Sequence, residues 1–310
     1  MKIKNCDGFI KFALGENVKQ SNWGDFNTIR FPQTRMGVEQ VFYDAFYKAK
    51  KYKNAWAEYN NLSLRKKRET IPPREDIELN VLAEILDGKR HITCHSYVES
   101  EINMLMHVAD SMGFKINTFT HILEGYKLTK KLKSHGAGAS TFADWWAYKF
   151  EVNDAIPYNA AILNDAGVVT AINSDDAEMG RRLNQEAAKA VKYGSSSQED
   201  AWKMVTLNPA KLLRLDNRMG SLKIGKDADV VIWSGNPLSI YSKVEQTYID
   251  GICYYDLEEN KKTQNRDYNE KLRIIKLLST SKSKNKVKNS PKKETFYHCD
   301  TIEHEHEHEH

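Results

Sequence analysis

What this sequence lacks narrows its class before any motif is read. It contains no run of about 18 apolar residues of the kind a membrane-crossing helix needs, and the opening MKIKNCDGFI has no apolar core of a secretory leader. A cytoplasmic chain with no membrane partner is expected. Its 4 cysteines, Cys6, Cys94, Cys253 and Cys299, show no C-x-x-C spacing, which speaks against a disulfide framework and against a cysteine-rich metal site. Prolines number only 7, two of them the adjacent Pro72 and Pro73, so few places forbid regular structure. An excess of one charge sign is also lacking, with 46 Lys and Arg against 42 Asp and Glu. The net charge is +4, and the excess of lysine lies after Asn260, so no nucleic-acid partner is expected from the remainder.

What is present is a repeating alternation of short β-rich runs and helical patterns. Runs 9–14, 91–95, 115–120, 137–141 and 168–173 read as strands, separated by helical spacing at 36–59, 75–86, 98–112, 125–135, 154–166 and 178–193. Such alternation predicts an α/β fold with a parallel sheet. Gly113, Gly136 and Gly167 fall where each helix must stop, the position that favours a left-handed residue. Leu64 to Arg68 reads as a basic surface loop. Asn208 and Pro209 read as cap and first residue of a short helix. Thereafter 229–233, 243–250 and 252–255 read as short strands, the last two joined by an Asp250-Gly251 hairpin signal.

Three of the predicted strands end in residues that carry chemistry. They deliver His95, His121 and the adjacent carboxylates Asp175 and Asp176. Taken singly, a strand-end aspartate is a helix cap and a strand-end histidine a satisfied polar group. Together, on one rim of one sheet, imidazoles and a carboxylate form a ligand set for a borderline divalent metal such as zinc, with a position left for water. Asp176 is expected to cap the following helix rather than bind metal. The aromatic stretch FADWWAYKFEVN after Thr141 reads as a loop over this rim or as plain packing.

The stretches INSDDAEMGRRLNQEAAKAVKYG and VTLNPAKLLRLDNRMGSLKIGKDADVVIWSGNPL, with the strand-end ligands, resemble the amidohydrolase superfamily, in particular its imidazolonepropionase-like branch. The resemblance runs from about Phe9 to Tyr255. It implies a TIM-like (β/α) barrel, present here only as its strands 4 to 8, and a small β-sandwich subdomain. It implies metal ligation by Lys11, often carbamylated at that position, His95, His121 and Asp175, with Asp175 also the catalytic proton carrier. Glu16 is the weaker alternative to Lys11. Tyr97, Tyr126 and Trp145 are candidates for touching a small-molecule substrate. The resemblance implies metal-dependent hydrolysis of carbon–nitrogen bonds with one or two divalent ions, zinc being the metal it points to. One departure stands against the matches: the His-x-His pair of the family's first strand has no counterpart before the tail. A non-catalytic remnant, or a subunit whose partner polypeptide supplies the remaining strands, is the alternative.

The expected division is therefore a barrel segment over 1–215, a β subdomain over 216–258 and a disordered lysine-rich tail over 259–310. The tail ends in alternating histidine and glutamate from Glu303 to His310, either a tag or a native stretch able to bind metal loosely.

Overall fold

A computed structural model describes residues 6–19 and 31–280. Its framework is a five-stranded parallel sheet in chain order: β1 (Gly8–Ala13), β2 (Arg90–His95), β3 (Thr118–Thr120), β4 (Gly138–Thr141) and β5 (Thr170–Ile172). The register pairs Lys11 with Thr93, Ala13 with His95, His95 with Thr120, and Thr120 with Ser140. Because successive side chains in a strand alternate faces, this register sorts the sheet into two surfaces. One carries Ile92, Cys94, Phe119 and Ala139, all fully buried. The other carries Lys11, Thr93, His95, Thr118, Thr120 and Ser140. Among the described residues neither β1 nor β5 pairs with a further strand, so the sheet is a row with two edges and barrel closure is not seen.

Helices cover the apolar surface. The longest there is α1 (Arg35–Asn60), started by the Thr34 hydroxyl accepting from the Gly37 backbone N–H at 3.1 Å. Its Phe46 stacks on Phe114 with ring centroids 4.0 Å apart. The segment at Leu64 to Arg68 is not a loop. Ser63 caps it and it forms α2 (Leu64–Glu69), because a capping hydroxyl and a run of good helix formers outweigh the local charge repulsion. Then come α3 (Ile77–Leu86) and α4 (Glu99–Met112), which pack against α1. The stripe Ile102, Leu105, Val108, Ala109 and Met112 of α4 is buried on one side at helical spacing. After β3 comes α5 (Thr129–His135) and after β4 comes α6 (Asn159–Asp165), shorter than its predicted span of 154–166. The predicted helix 178–193 is two, α7 (Ala177–Gly180) and α8 (Leu183–Gly194). Gly113, Gly136 and Gly167 adopt φ of 76°, 83° and 79°, as the helix-end reading requires.

Two short helices, α9 (Gln198–Lys203) and α10 (Leu207–Leu212), lead out of this layer. Asn208 is not the cap of α10 but lies inside it, where its buried side chain donates to the Thr170 carbonyl at 2.8 Å and ties α10 to β5. The β subdomain is a single antiparallel sheet, β6 (Val230–Trp233), β7 (Val244–Ile249) and β8 (Ile252–Asp256). A sandwich needs two packed sheets, and among the described residues only this one is antiparallel. Asp250 and Gly251 turn between β7 and β8 with φ of 51° and 76°, the hairpin geometry their sequence announced. Residues 259–280, expected to be disordered, continue a helix instead: α11 (Leu257–Thr280). Asp256 accepts from the backbone N–H of Glu258 and Glu259 at its start, and Glu–Lys and Glu–Arg pairs three residues apart run along it. The alternating tail from Glu303 lies outside the described residues. Among the described residues, no helix is long and apolar enough to cross a membrane.

Candidate functional site

The C-terminal ends of β2, β3 and β5 meet in one polar corner. His95 is the last residue of β2 and His121 follows β3 directly. Their rings lie 4.8 Å apart, tilted by 70°. His121 has a left-handed backbone, φ 58°, a conformation that costs a non-glycine residue on the order of 1 to 2 kcal/mol and that collects at functional sites. Asp175 approaches from the loop after β5, its Oδ2 3.5 Å from His121 Nε2. Asp176 beside it does what its position predicted, accepting from the Met179 backbone N–H at 2.9 Å to cap α7.

Burial fixes the charge state of both imidazoles. Loss of solvent, then the nearby His121, Lys11 and Lys149, hold His95 down to about 3. His121 is held down to about 4 by burial, then Lys11 and Lys149. Both rings are therefore neutral near pH 7, the form that donates a lone pair to a metal. Lys11 is exposed on the same sheet face as His95, two residues from the strand position opposite it.

The aromatic candidates divide. Tyr97 is 2 % exposed and forms a wall, with its ring centroid 4.7 Å from that of His95 and 6.0 Å from that of His121. Phe142 stacks on His121 at 5.0 Å and Trp145 on Phe142 at 4.6 Å, so Trp145 is one ring removed from the histidines. Tyr126 is directed elsewhere, its hydroxyl donating to the Asp154 carbonyl at 2.9 Å. The stretch after Thr141 thus divides: Phe142 and Trp145 pack toward His121, whereas Trp146 and Phe150 are exposed.

Several residues at this corner were not singled out from sequence. Asn173 Nδ2 lies 3.0 Å from His121 Nδ1, and Ser140 donates to Asn173 Oδ1 at 2.6 Å. Lys149 sits over the Tyr97 ring, 4.3 Å from its centroid, and pairs with Glu151 at 3.3 Å and Glu16 at 3.5 Å. Glu101, on α4 and 3 % exposed, accepts from the Gly15 backbone N–H at 2.7 Å, from Lys19 Nζ at 2.5 Å and from Arg35 Nε at 2.8 Å. Gly15, with φ 78°, admits no side chain there, since a Cβ would stand 2.7 Å from Glu151 Oε1. Of these only Glu101 left a signal in the sequence: a carboxylate in line with the apolar stripe of its helix.

The chemistry of the donors suits a divalent ion. Two ligands of one tetrahedral zinc, each about 2.0 to 2.2 Å from it, stand about 3.4 Å apart, close to the His121–Asp175 separation of 3.5 Å. Among the described residues, however, no three His, Cys, Asp or Glu side chains converge tightly enough to hold an ion as they stand.

With this geometry in view, likeness to known proteins can be set beside it. The amidohydrolase family profile matches residues 154–253. An amidohydrolase, tasK, of Hapsidospora irregularis is 29% identical over 257 residues, 80% of this chain and 26% of that protein. An imidazolonepropionase of Thermoplasma volcanium is 29% identical over 136 residues, 43% of this chain and 33% of that protein. In the crystal structure of an amidohydrolase from Thermotoga maritima the likeness is 32% identity with a TM-score of 0.70, covering 82% of this chain and 64% of that one. The chain thus spans about a quarter to a third of the length of these two curated relatives and just under two thirds of the crystallised one.

Proposed function

The chain belongs to the amidohydrolase superfamily, and from that premise we propose that it carries the hydrolytic half-site of a metal-dependent enzyme that cleaves carbon–nitrogen bonds of small molecules. The observation that carries this reading is the gathering of two neutral imidazoles and a carboxylate, His95, His121 and Asp175, at the C-terminal rim of the sheet, beyond β2, β3 and β5. His95 and His121 would hold the ion, with Asp175 beside it and Lys11 as a fourth donor once carbamylation by CO₂ has removed its positive charge. A divalent cation such as zinc, when bound, supplies Lewis acidity that brings the pKa of water from 15.7 to about 7.

The chain's own groups do the remainder. Asp175 takes the proton from the attacking water and returns it to the departing nitrogen, a transfer worth about 10² to 10⁴ in rate. The wall of Tyr97, Phe142 and Trp145 keeps bulk water from the back of both imidazoles, which strengthens every charge interaction at the rim. Metal analysis of the purified full chain after zinc loading, compared with His121→Ala, tests the reading. At least one ion should be lost with His121, and equal metal content in the two proteins would sink it. Turnover is to be sought on a panel of amides and dipeptides.

A second reading is favoured by the sheet edges. Among the described residues β1 and β5 each pair with one strand only, although the outer side of β5 is partly met by the Met204 carbonyl, which accepts from the Ile172 N–H, and by Asn208, which donates to the Thr170 carbonyl. Parallel sheets are ordinarily covered on both faces. A polypeptide that adds strands at these edges would complete the rim. Light scattering on the full chain separates the two, because a monodisperse monomer that binds zinc tightly and turns over substrate needs no such partner.

A further inference from the structure

The polar contacts of His121 do not end at Asp175. On the other side of the ring, Asn173 Nδ2 lies 3.0 Å from Nδ1, and Asn173 Oδ1 in turn accepts from the Ser140 hydroxyl at 2.6 Å. Ser140 is buried in the middle of β4. The Asn173 backbone is pinned too, its N–H donating to the Thr141 carbonyl at 3.0 Å. The motion that keeps the amide between these two partners is a half-turn about its Cβ–Cγ bond.

We infer that Asn173 and Ser140 are a positioning pair that sets the tautomer of His121, and that cation binding is coupled to a half-turn of the Asn173 amide. The inference rests on the metal-site reading for its second half only. A neutral imidazole has one N–H and one lone pair. As arranged here, the Asn173 amide donates to Nδ1, so Nδ1 spends the lone pair and the ring proton sits on Nε2, facing Asp175 Oδ2 at 3.5 Å. In this tautomer Nε2 has nothing to offer a cation. Turning the amide exchanges its oxygen and NH₂, which are nearly equal in size. Nδ1–H then donates to Asn173 Oδ1, Asn173 Nδ2 donates to Ser140 Oγ, and the lone pair moves to Nε2, where Asp175 waits. The ring proton passes from Nε2 to Nδ1 by way of solvent, with no net change in charge. A hydroxyl can both donate and accept, so Ser140 satisfies the amide in either orientation. Valine or alanine at that place could not.

The two states give His121 two occupations. Without a cation it holds Asp175 by the Nε2–H contact; with one it hands that position over. Metal-bound histidines ordinarily donate their second N–H to an oxygen, and loss of that partner costs about 10- to 100-fold in affinity.

The experiment uses the full chain labelled with ¹⁵N at histidine, with His121 assigned by comparison with His121→Gln, and long-range ¹H–¹⁵N spectra recorded before and after zinc. The cation-free parent should show His121 protonated at Nε2, and zinc should move that proton to Nδ1. In Asn173→Asp the carboxylate can only accept, so His121 should be Nδ1-protonated with or without zinc. In Asn173→Leu zinc affinity by calorimetry should fall about 10- to 100-fold, and in Ser140→Ala by less. A parent already protonated at Nδ1 before zinc would overturn the coupled half-turn. A parent and an Asn173→Asp protein with the same cation-free tautomer would overturn the positioning role. If the parent binds no zinc, the metal reading fails, while the cation-free spectra still decide whether Asn173 sets the tautomer.

Discussion

The two faces of the parallel sheet are built from the same strands, one residue out of step, and share almost nothing else. Ile92, Cys94, Phe119 and Ala139 face the helices and are sealed from solvent. Their neighbours Thr93, His95, Thr118, Thr120 and Ser140 face the other way and carry hydroxyls and imidazoles. The apolar face buries enough side chain to hold α1, α4 and α5 in place. The polar face contributes little to that and instead aims groups at one rim. Stability and chemistry are thereby separated by the pleat, and a one-residue slip in any strand would exchange them.

The sharpest way to break that contrast is to cut into each face beside the same peptide bond. Phe119→Ala should cost about 3 to 5 kcal/mol in urea unfolding, the range for removing a buried aromatic side chain. Thr120→Ala, on the polar face, should cost under about 1 kcal/mol, near the worth of one hydrogen bond, its hydroxyl donating to the Cys94 carbonyl at 3.2 Å. Equal losses would show that the two faces are not energetically distinct. A second measurement turns to the rim. Zinc at a hundred times its dissociation constant should raise stability by about 2.7 kcal/mol, and Asp175→Ala with His121→Ala should abolish this gain while leaving any binding by the terminal histidines intact. Removal of the ion with a chelator should return the parent to its cation-free stability.

The mildest effect expected is on pH dependence, and it belongs to the helix-covered side. His135 at the end of α5 accepts from the Ile116 backbone N–H at 3.0 Å through Nε2, while Nδ1 faces Asp110 at 3.2 Å. Burial, then Lys115, holds its pKa below the ordinary value. The unfolded chain therefore takes up this proton first, at about pH 6.5. The contribution is full above that pH and is lost as pH falls through it toward the lower folded value. Between pH 7 and 5 the parent should lose more stability than His135→Gln, and identical slopes would remove His135 from the account.

Much of this was legible in the sequence for a physical reason. Periodicity and glycine punctuation depend on neighbours in the chain, so β1 to β5 and the helix ends at Gly113, Gly136 and Gly167 could be read directly. His95, His121 and Asp175, the residues of the rim, were legible because histidine and aspartate at strand ends are few. What could not be read was everything decided across the fold. Asn173 and Ser140 are 33 residues apart, and an asparagine followed by serine and two aspartates looks like any turn. The aromatic run after Thr141 gave no direction for Trp145, because the ring it stacks on is itself placed by His121. Over 259–280 the polar composition points to disorder with a short helical patch only near Leu272 to Leu278, whereas short-range charge pairs and an aspartate cap support α11 along its whole length without burial.

Glu101 has a consequence for the order in which the chain assembles. Its three partners, Gly15, Lys19 and Arg35, lie 86, 82 and 66 residues away along the chain. Such closures cost loop entropy long before they return anything, so this knot should be tied after the barrier to folding has been crossed. Contacts made that late govern escape from the native state rather than arrival at it. Glu101→Gln should then leave the refolding limb of a chevron nearly where it was and lift the unfolding limb, which makes one buried carboxylate on α4 a keeper of lifetime for the loop entrance beside the site.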